Sequence, residues 1–365
     1  LRPDRGAGRP PGCWDQRLLK DVKLVQGAGV DFAADGNYEL TVALQKSESQ
    51  KSPKDVPVLS EVGHTVRDAR VGMSRRVSGG LDASSNKIYL LHESVARRNV
   101  YEPLDVLIRD PHNSLTMKLA VTEEPAKKLL NLDVQDEPFT GEHLFRLLKT
   151  AGDHATVPDV DLQQFFTALF SSDQDGTLPV FSLEEREGKP TVYTGKTALF
   201  DDFRMSGKLD ELQSVMLQYL QGDIGKESGM TLQAFEGDPD DPDTYVTFRT
   251  RTISRKMRAE SGEAGRWKGF VELELSAEIV EKPNARFTVR AKREEIEERL
   301  SARLTALANE TLSELRKANC DALGFGKMRT RNLGEWEAKR WKRMYPQGEI
   351  AASVKLRVTG QGTLQ

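Results

Sequence analysis

Residues Glu294–Cys320 read EEIEERLSARLTALANETLSELRKANC. Within that stretch Ile296, Leu300, Leu304, Leu307, Thr311 and Leu315 recur at steps of three or four, one apolar stripe at helical period. Glu294, Glu295, Glu297 and Glu298 crowd the first turns and Arg316 and Lys317 the last, so both ends oppose the helix dipole. The predicted helix is roughly 40 Å long at 1.5 Å per residue. A helix with one apolar stripe needs a surface to cover, and the chain supplies strands on both sides. Before it, Val271, Leu273, Leu275, Ala277 and Ile279 alternate with Glu272, Glu274, Ser276 and Glu278. After it, Ile350, Ala352, Val354, Leu356 and Val358 alternate with small or basic residues. Such period-two alternation predicts a sheet with one buried face and one wet face, with the helix on the buried one.

Between the helix and the last strand lie Asp321-Ala-Leu-Gly324-Phe325-Gly326, then Trp336, Trp341, Tyr345 and Pro346. This order of features resembles the C-terminal end of the Ger(x)C family, the C-subunit lipoproteins of bacterial spore nutrient-germinant receptors. The resemblance extends along the chain. Cys13-Trp14-Asp15 is similar to the family's mature N-terminus. A family pattern of E-x-x-A-R followed by an L-D-x-x-x-R-D turn is met by Glu93, Ala96, Arg97, Leu104, Asp105, Arg109 and Asp110. Gly195, Ala198 and Phe200 resemble the G-x-A-x-F opening of its small middle domain, with one residue more between the Gly and the Ala. The resemblance runs from Cys13 to Gly360, and the order of its short motifs is what makes it specific.

Composition is consistent with that class without selecting it. At 365 residues two or three domains are expected. Charged residues are 30% and hydrophobic ones 38%, the balance of a well-solvated globular protein. A net charge of −3 gives no global reason to expect a nucleic-acid partner. No run of 18 apolar residues exists to span a bilayer. The two cysteines, Cys13 and Cys320, form neither a disulfide framework nor a zinc motif. Leu1–Pro11 is rich in Arg, Gly and Pro, lacks the apolar run of a signal peptide, and is expected to be disordered.

In chain order, Val22–Gln45 reads as a hairpin turning at Asp35-Gly36-Asn37. Gly27-Ala28-Gly29 is not a dinucleotide fingerprint, because Phe32 stands where the third glycine belongs and no helix follows. Val62, Val66, Ala69, Met73 and Val77 mark a helix stopped at Gly79-Gly80. A strand at Lys87–His92 leads to helices near Glu93–Asn99 and Pro103–Arg109, then a strand at Leu115–Val121. Helices are expected at Gly141–Ala151, capped by Thr140, and along the apolar face of Leu162, Phe165, Phe166, Leu169 and Phe170. Strands at Val180–Glu185 and Pro190–Thr194 precede a helix near Leu209–Leu220, and Tyr245–Arg255 opens the last sheet.

The expected fold class is α+β, in three consecutive domains, each a mainly antiparallel or mixed β-sheet flanked by helices. Their expected bounds are 14–185, 186–240 and 241–365, after a 1–13 leader.

No catalytic, metal or cofactor constellation emerges. There is no G-x-S-x-G and no H-E-x-x-H. Gly324-Phe-Gly326-Lys327-Met328 departs from a P-loop, with Met for Ser or Thr and Asp321 in place of the first glycine. A calcium frame starting at Ser171 ends on Ser182, where a bidentate Glu is required. The acidic Gly237–Asp243 loop implies no ligand geometry, and His64, His92, His112, His143 and His154 are scattered. Lys327–Arg343 carries seven basic and two acidic residues around Trp336 and Trp341. That segment is either a lipid- or partner-facing patch or a helix with its tryptophans inward and its cations wet.

The resemblance therefore carries the functional expectation. It implies a non-enzymatic subunit on the outer face of the spore inner membrane, partnered by a polytopic A subunit and a transporter-like B subunit. It makes Cys13 the lipid-attachment residue; two or more acyl chains give stable anchoring where one does not. The residues before it, Pro10-Pro11-Gly12, depart from the Leu and small residue usual there. From the residues alone, Cys13 is an unmodified thiol in a leader, and the chain as given is expected to be soluble and monomeric. The competing class is an extracytoplasmic small-molecule binding module or a hydrolase with unrecognised residues.

Overall fold

The computed structural model describes residues 22–45, 57–132, 140–171, 173–261, 266–281, 290–330 and 335–360. Their strands fall into two sheets.

The first half contains β1 (Val22–Phe32), β2 (Tyr38–Leu44), β3 (Val58–Gly63), α1 (Val66–Ser74), β4 (Gly80–Asp82) and β5 (Ile88–His92). It continues with α2 (Glu93–Arg98), α3 (Tyr101–Arg109), β6 (Lys118–Thr122), α4 (Ala126–Leu130), α5 (Thr140–Asp153) and α6 (Leu162–Leu169). Next come β7 (Thr177–Arg186), β8 (Lys189–Asp201) and β9 (Arg204–Leu209). These make one mixed sheet of order β3-β2-β1-β5-β6-β7-β8-β9, with β4 beside β1. β1, β5, β6 and β7 run parallel in succession, and each parallel step after β5 crosses over through helices, as it must.

The centre of this sheet is buried on both faces, so its strands are apolar without interruption. Tyr89 and Leu91 of β5 pack with α1, α2, α3 and α6 on one side. Ile88 and Leu90 pack with α4 and α5 on the other. Gly29 lies in mid-strand because α4 presses against it: a Cβ there would come 2.6 Å from that of Ala126. Asp31, buried on β1, accepts from the N–H of Ala126 at 2.7 Å and of Lys127 at 2.9 Å, satisfying donors at the start of α4 that Pro125 cannot.

The expected boundary at 185 falls within the β7–β8 hairpin. From there α7 (Glu211–Gln221), opened by an Asp210/Gln213 capping box, leads into β10 (Ser228–Gln233). The second sheet is β10, β11 (Tyr245–Ser261), β12 (Trp267–Glu281) and β13 (Glu349–Gly360) in that order. Between β12 and β13 come α8 (Arg290–Lys317), α9 (Phe325–Thr330) and α10 (Glu335–Met344).

The α8 stripe is core. Ile296, Leu300, Leu304, Leu307, Thr311 and Leu315 are all buried, against the inward residues of β12 and β13. α8 also closes the sheet's edge. The outward N–H groups of Val358, Leu356, Val354 and Ala352 donate to Glu297 Oε1, Ser301 Oγ, Thr305 Oγ1 and Asn309 Oδ1, at 2.7–3.0 Å. Asn309 Nδ2 donates back to the Ala352 carbonyl at 2.9 Å. The match is metric: four helical residues rise about 6 Å and two strand residues about 6.6 Å. A polar column at i+4 spacing therefore keeps step with alternate residues of a strand, and covers an edge otherwise open to pairing.

Candidate functional site: the Asp321 junction

The D-x-x-G-F-G turn sits where the two sheets meet. α8 ends at Lys317, and after Cys320 the chain must reverse into α9. The Asp321 carboxylate organises the reversal, accepting from Phe325 N–H at 2.9 Å, Gly326 N–H at 2.7 Å and Trp341 Nε1 at 3.0 Å. Gly324 takes a left-handed φ of 74°, which favours glycine. Gly326 leaves room for the indole, since a Cβ would lie 2.7 Å from Trp341 Nε1. Trp341 completes a cluster with Trp267, Phe325 and Tyr345, its ring centroid 4.7 Å from that of Trp267 and 5.9 Å from that of Tyr345. Burial pushes the Asp321 carboxyl up to about 6 against the pull of its three donors.

The first sheet contributes the opposing half. Asp175, just before β7, exchanges contacts with the turn: its Oδ2 accepts from Asp321 N–H at 2.8 Å, and its N–H donates to the Asp321 carbonyl at 3.1 Å. The Lys342 ammonium of α10 pairs with Asp175 and lies 3.1 Å from both Asp201 and Asp202 at the β8–β9 turn. Burial alone would lower Lys342, but these carboxylates, Asp175 first, hold it above its ordinary range. Asp175, Asp201 and Asp202 are close enough to share a cation, and the lysine supplies that charge. Gln174 and Gln221 each donate to the Ala322 carbonyl at 3.1 Å. The arrangement is a polar fastening between sheets, in which the buried carboxylates are answered by backbone N–H groups, an indole and an ammonium.

Several expectations are thereby placed. Trp341 packs inward, but Lys342 is only 18% exposed, so the Lys327–Arg343 segment is not simply a wet basic face. The side chain of Trp336 lies outside the described residues, as does Cys13. Glu93–Arg97 and Asp105–Arg109 are i,i+4 ion pairs within helices, and Asp110 pairs with Arg70 of α1 at 2.7 Å. Ser182, where a calcium frame needs its last ligand, donates to Glu123. The acidic loop folds on itself, with Asp241 accepting from Asp243 N–H and Pro239 from the Tyr245 hydroxyl. Sequence reading did not find Asp175, Asp201 or Lys342 as partners. Their separation of 26 to 167 residues leaves no local signal; only the unusual Asp before Gly176 and the Asp201-Asp202 pair could have prompted a search.

The fold and the junction together define a two-sheet α+β chain fastened at one polar turn. Residues 15–183 match the family "Spore germination protein N-terminal domain", and residues 195–362 match "Spore germination B3/ GerAC like, C-terminal". The chain belongs to the Ger(x)C family. It is 21% identical to spore germination protein GerQC of Bacillus cereus over 97% of this chain and 96% of that protein. It is 22% identical to spore germination protein KC of Bacillus subtilis (strain 168), over 96% and 92%. The crystal structure of the GerBC protein shares the fold, with a TM-score of 0.56 at 13% identity, over 91% of this chain and 97% of that one.

Proposed function

We propose that this protein is a non-enzymatic, lipid-anchored C subunit of a spore nutrient-germinant receptor. It is held on the outer face of the spore inner membrane through a lipid on Cys13, beside a polytopic A subunit and a transporter-like B subunit. The observation that carries the reading is the match to both family domains, together with a relative, GerQC, aligned over nearly its full length. The junction supports a scaffold role, because its charged groups are spent on joining two sheets. Among the described residues no helix is long and apolar enough to cross a membrane. The receptor subunit would therefore meet the bilayer through its lipid and its partners.

The test uses the full-length native protein in spores lacking the gene. Wild type should label with a palmitate analogue, fractionate with inner membrane and restore nutrient germination. Cys13→Ala should lose the label and leave the membrane fraction. An unlabelled, soluble wild type rules out the anchor; normal nutrient germination without the gene rules out the receptor role. A second reading, an extracytoplasmic small-molecule binding module, draws on an amide-lined cleft beside the junction.

A further inference from the structure

The two edges of the second sheet are not alike. α8 closes the β13 edge, but β10 covers only the first third of β11, pairing with Tyr245–Thr250 and ending there. Among the described residues only β12 pairs with the remainder, Arg251–Ser261, which leaves roughly 35 Å of strand edge open at 3.3 Å per residue. The open length has two distinct rows. On the inner face Ile253, Met257 and Ala259 pack against the core yet stay half-buried, where the inward residues of a further strand would lie. Between them Arg255 reaches to the Leu220 carbonyl at the end of α7, at 2.9 Å. On the outer face Thr252, Ser254, Lys256 and Arg258 are exposed.

An open edge receives either another copy of the same strand or a strand of different chemistry. Charge decides between them. Arg251, Arg255, Lys256 and Arg258 stand along the edge with one carboxylate, Glu260. An antiparallel copy centred anywhere from Arg255 to Met257 sets two of these cations directly opposite each other, which destabilises the pairing. Self-pairing is discouraged, while a strand carrying carboxylates meets the opposite charge. Arg251 and Arg258 already pair with Glu278 and Glu272 of β12. Both arginines are at least half exposed, so these pairs hold little and are free to share an incoming carboxylate. We propose that the open edge of β11 receives an extended segment of a partner protein as a further strand, its carboxylates facing Lys256 and Arg258 and its alternate apolar residues covering Ile253 and Met257. The pairing does not depend on the lipid anchor, and it goes beyond the receptor reading by stating what the partner must carry.

The test titrates the chain as given with an acetylated, amidated decapeptide alternating valine and glutamate, and with its valine–lysine counterpart. Amide shifts and hydrogen exchange along Arg251–Ser261 are read against those of β5, with light scattering for self-association. In the free chain alternate amides of this stretch should exchange quickly, and the chain should scatter as a monomer. The glutamate peptide should move these amides saturably, slow their exchange, and bind about tenfold or more tightly than the lysine peptide. Lys256→Glu together with Arg258→Glu should reverse that preference. Lys256→Glu alone should at least level it, and serves if the double variant does not fold. Edge amides already protected in the free chain would mean that another part of it occupies the edge, and a dimer would mean that a second copy does; either overturns the proposal. So do amides that neither peptide moves, equal affinity for the two peptides, or a preference unaltered in the folded variants.

Discussion

The two sheets of this protein are closed in different ways. The first is sandwiched: helices cover both faces of β5 and β6, and every residue of Ile88-Tyr-Leu-Leu91 is buried. The second is covered once. α7 and α8 lie on its inner face, while Lys256, Arg258, Glu274, Lys355 and Arg357 stand exposed on the other. Its edge is held by side chains of the same helix that fills its core. One helix does two jobs here because two columns of its surface differ in chemistry. In α8 the column 300–304–307–311–315 makes the core, and the column 297–301–305–309 makes the edge.

The largest expected effect is on the core column. Leu304→Ala should destabilise the second sheet by about 2–5 kcal/mol, the range for a buried leucine cut back to alanine. Denaturant unfolding with hydrogen exchange on β5 and β12 reads it. Loss confined to β12 would sharpen the contrast between sheets, and an unaltered melt would show that the stripe is not core.

The edge column comes next. Asn309→Leu removes both bonds to Ala352 and should cost about 1–3 kcal/mol, since a partly buried donor and acceptor lose their partners. It should also free a length of β13 for strand pairing, so light scattering at high concentration should show self-association absent from wild type. A variant that stays monomeric with unchanged stability would mean that the ladder does not guard the edge.

Acid and base should separate the junction from a carboxylate of the first sheet, Glu123, which bonds Ser182, Lys196 and Lys208 of β7, β8 and β9. Folding raises Asp321 from 3.8 to about 6, so its stabilisation is complete below the lower value and is lost as pH rises through the upper. Glu123 runs the other way. Burial would raise it, but Lys208, Ser182 and Lys196 together hold it down at about 2 from 4.5. Its stabilisation is present above 4.5 and is lost as pH falls toward 2. Carboxyl carbon shifts followed from pH 2 to 8 should place the two midpoints on opposite sides of 4. In Asp321→Asn, the part of the stability loss between pH 4 and 7 that belongs to this group should vanish. An Asp321 midpoint below 4 would mean that its three donors outweigh burial.

The smallest effect belongs to the third, exposed column of α8. Reversing Arg303 and Glu310 together should shift stability by less than about 1 kcal/mol, as for exposed charges generally. If that face docks a receptor subunit, the folded variant should fail to restore nutrient germination. Restoration at the wild-type level would remove it from the partner surfaces.

What the sequence determined by itself was whatever repeats locally. The α8 stripe, the alternation of β12 and β13, the Asp35-Gly36-Asn37 hairpin and the capped α6 and α7 follow from periods of 3.6 or 2 and from short-range caps. The family was legible for a related reason: Asp321, Gly324, Gly326 and Trp341 form one hydrogen-bonded turn and keep fixed spacing along the chain. Tertiary structure alone decided the rest. β8 and β9 join the first sheet and β10 the second, because backbone pairing chooses among strands by what lies alongside, not by composition. Lys342 became an internal cation because three carboxylates from distant segments converge on it; in sequence it is one of seven basic residues between Lys327 and Arg343. The Glu297–Asn309 column reads as an ordinary polar face until β13 is laid beside it. Its meaning comes from two rises, helical and extended, that coincide only when the elements are in contact.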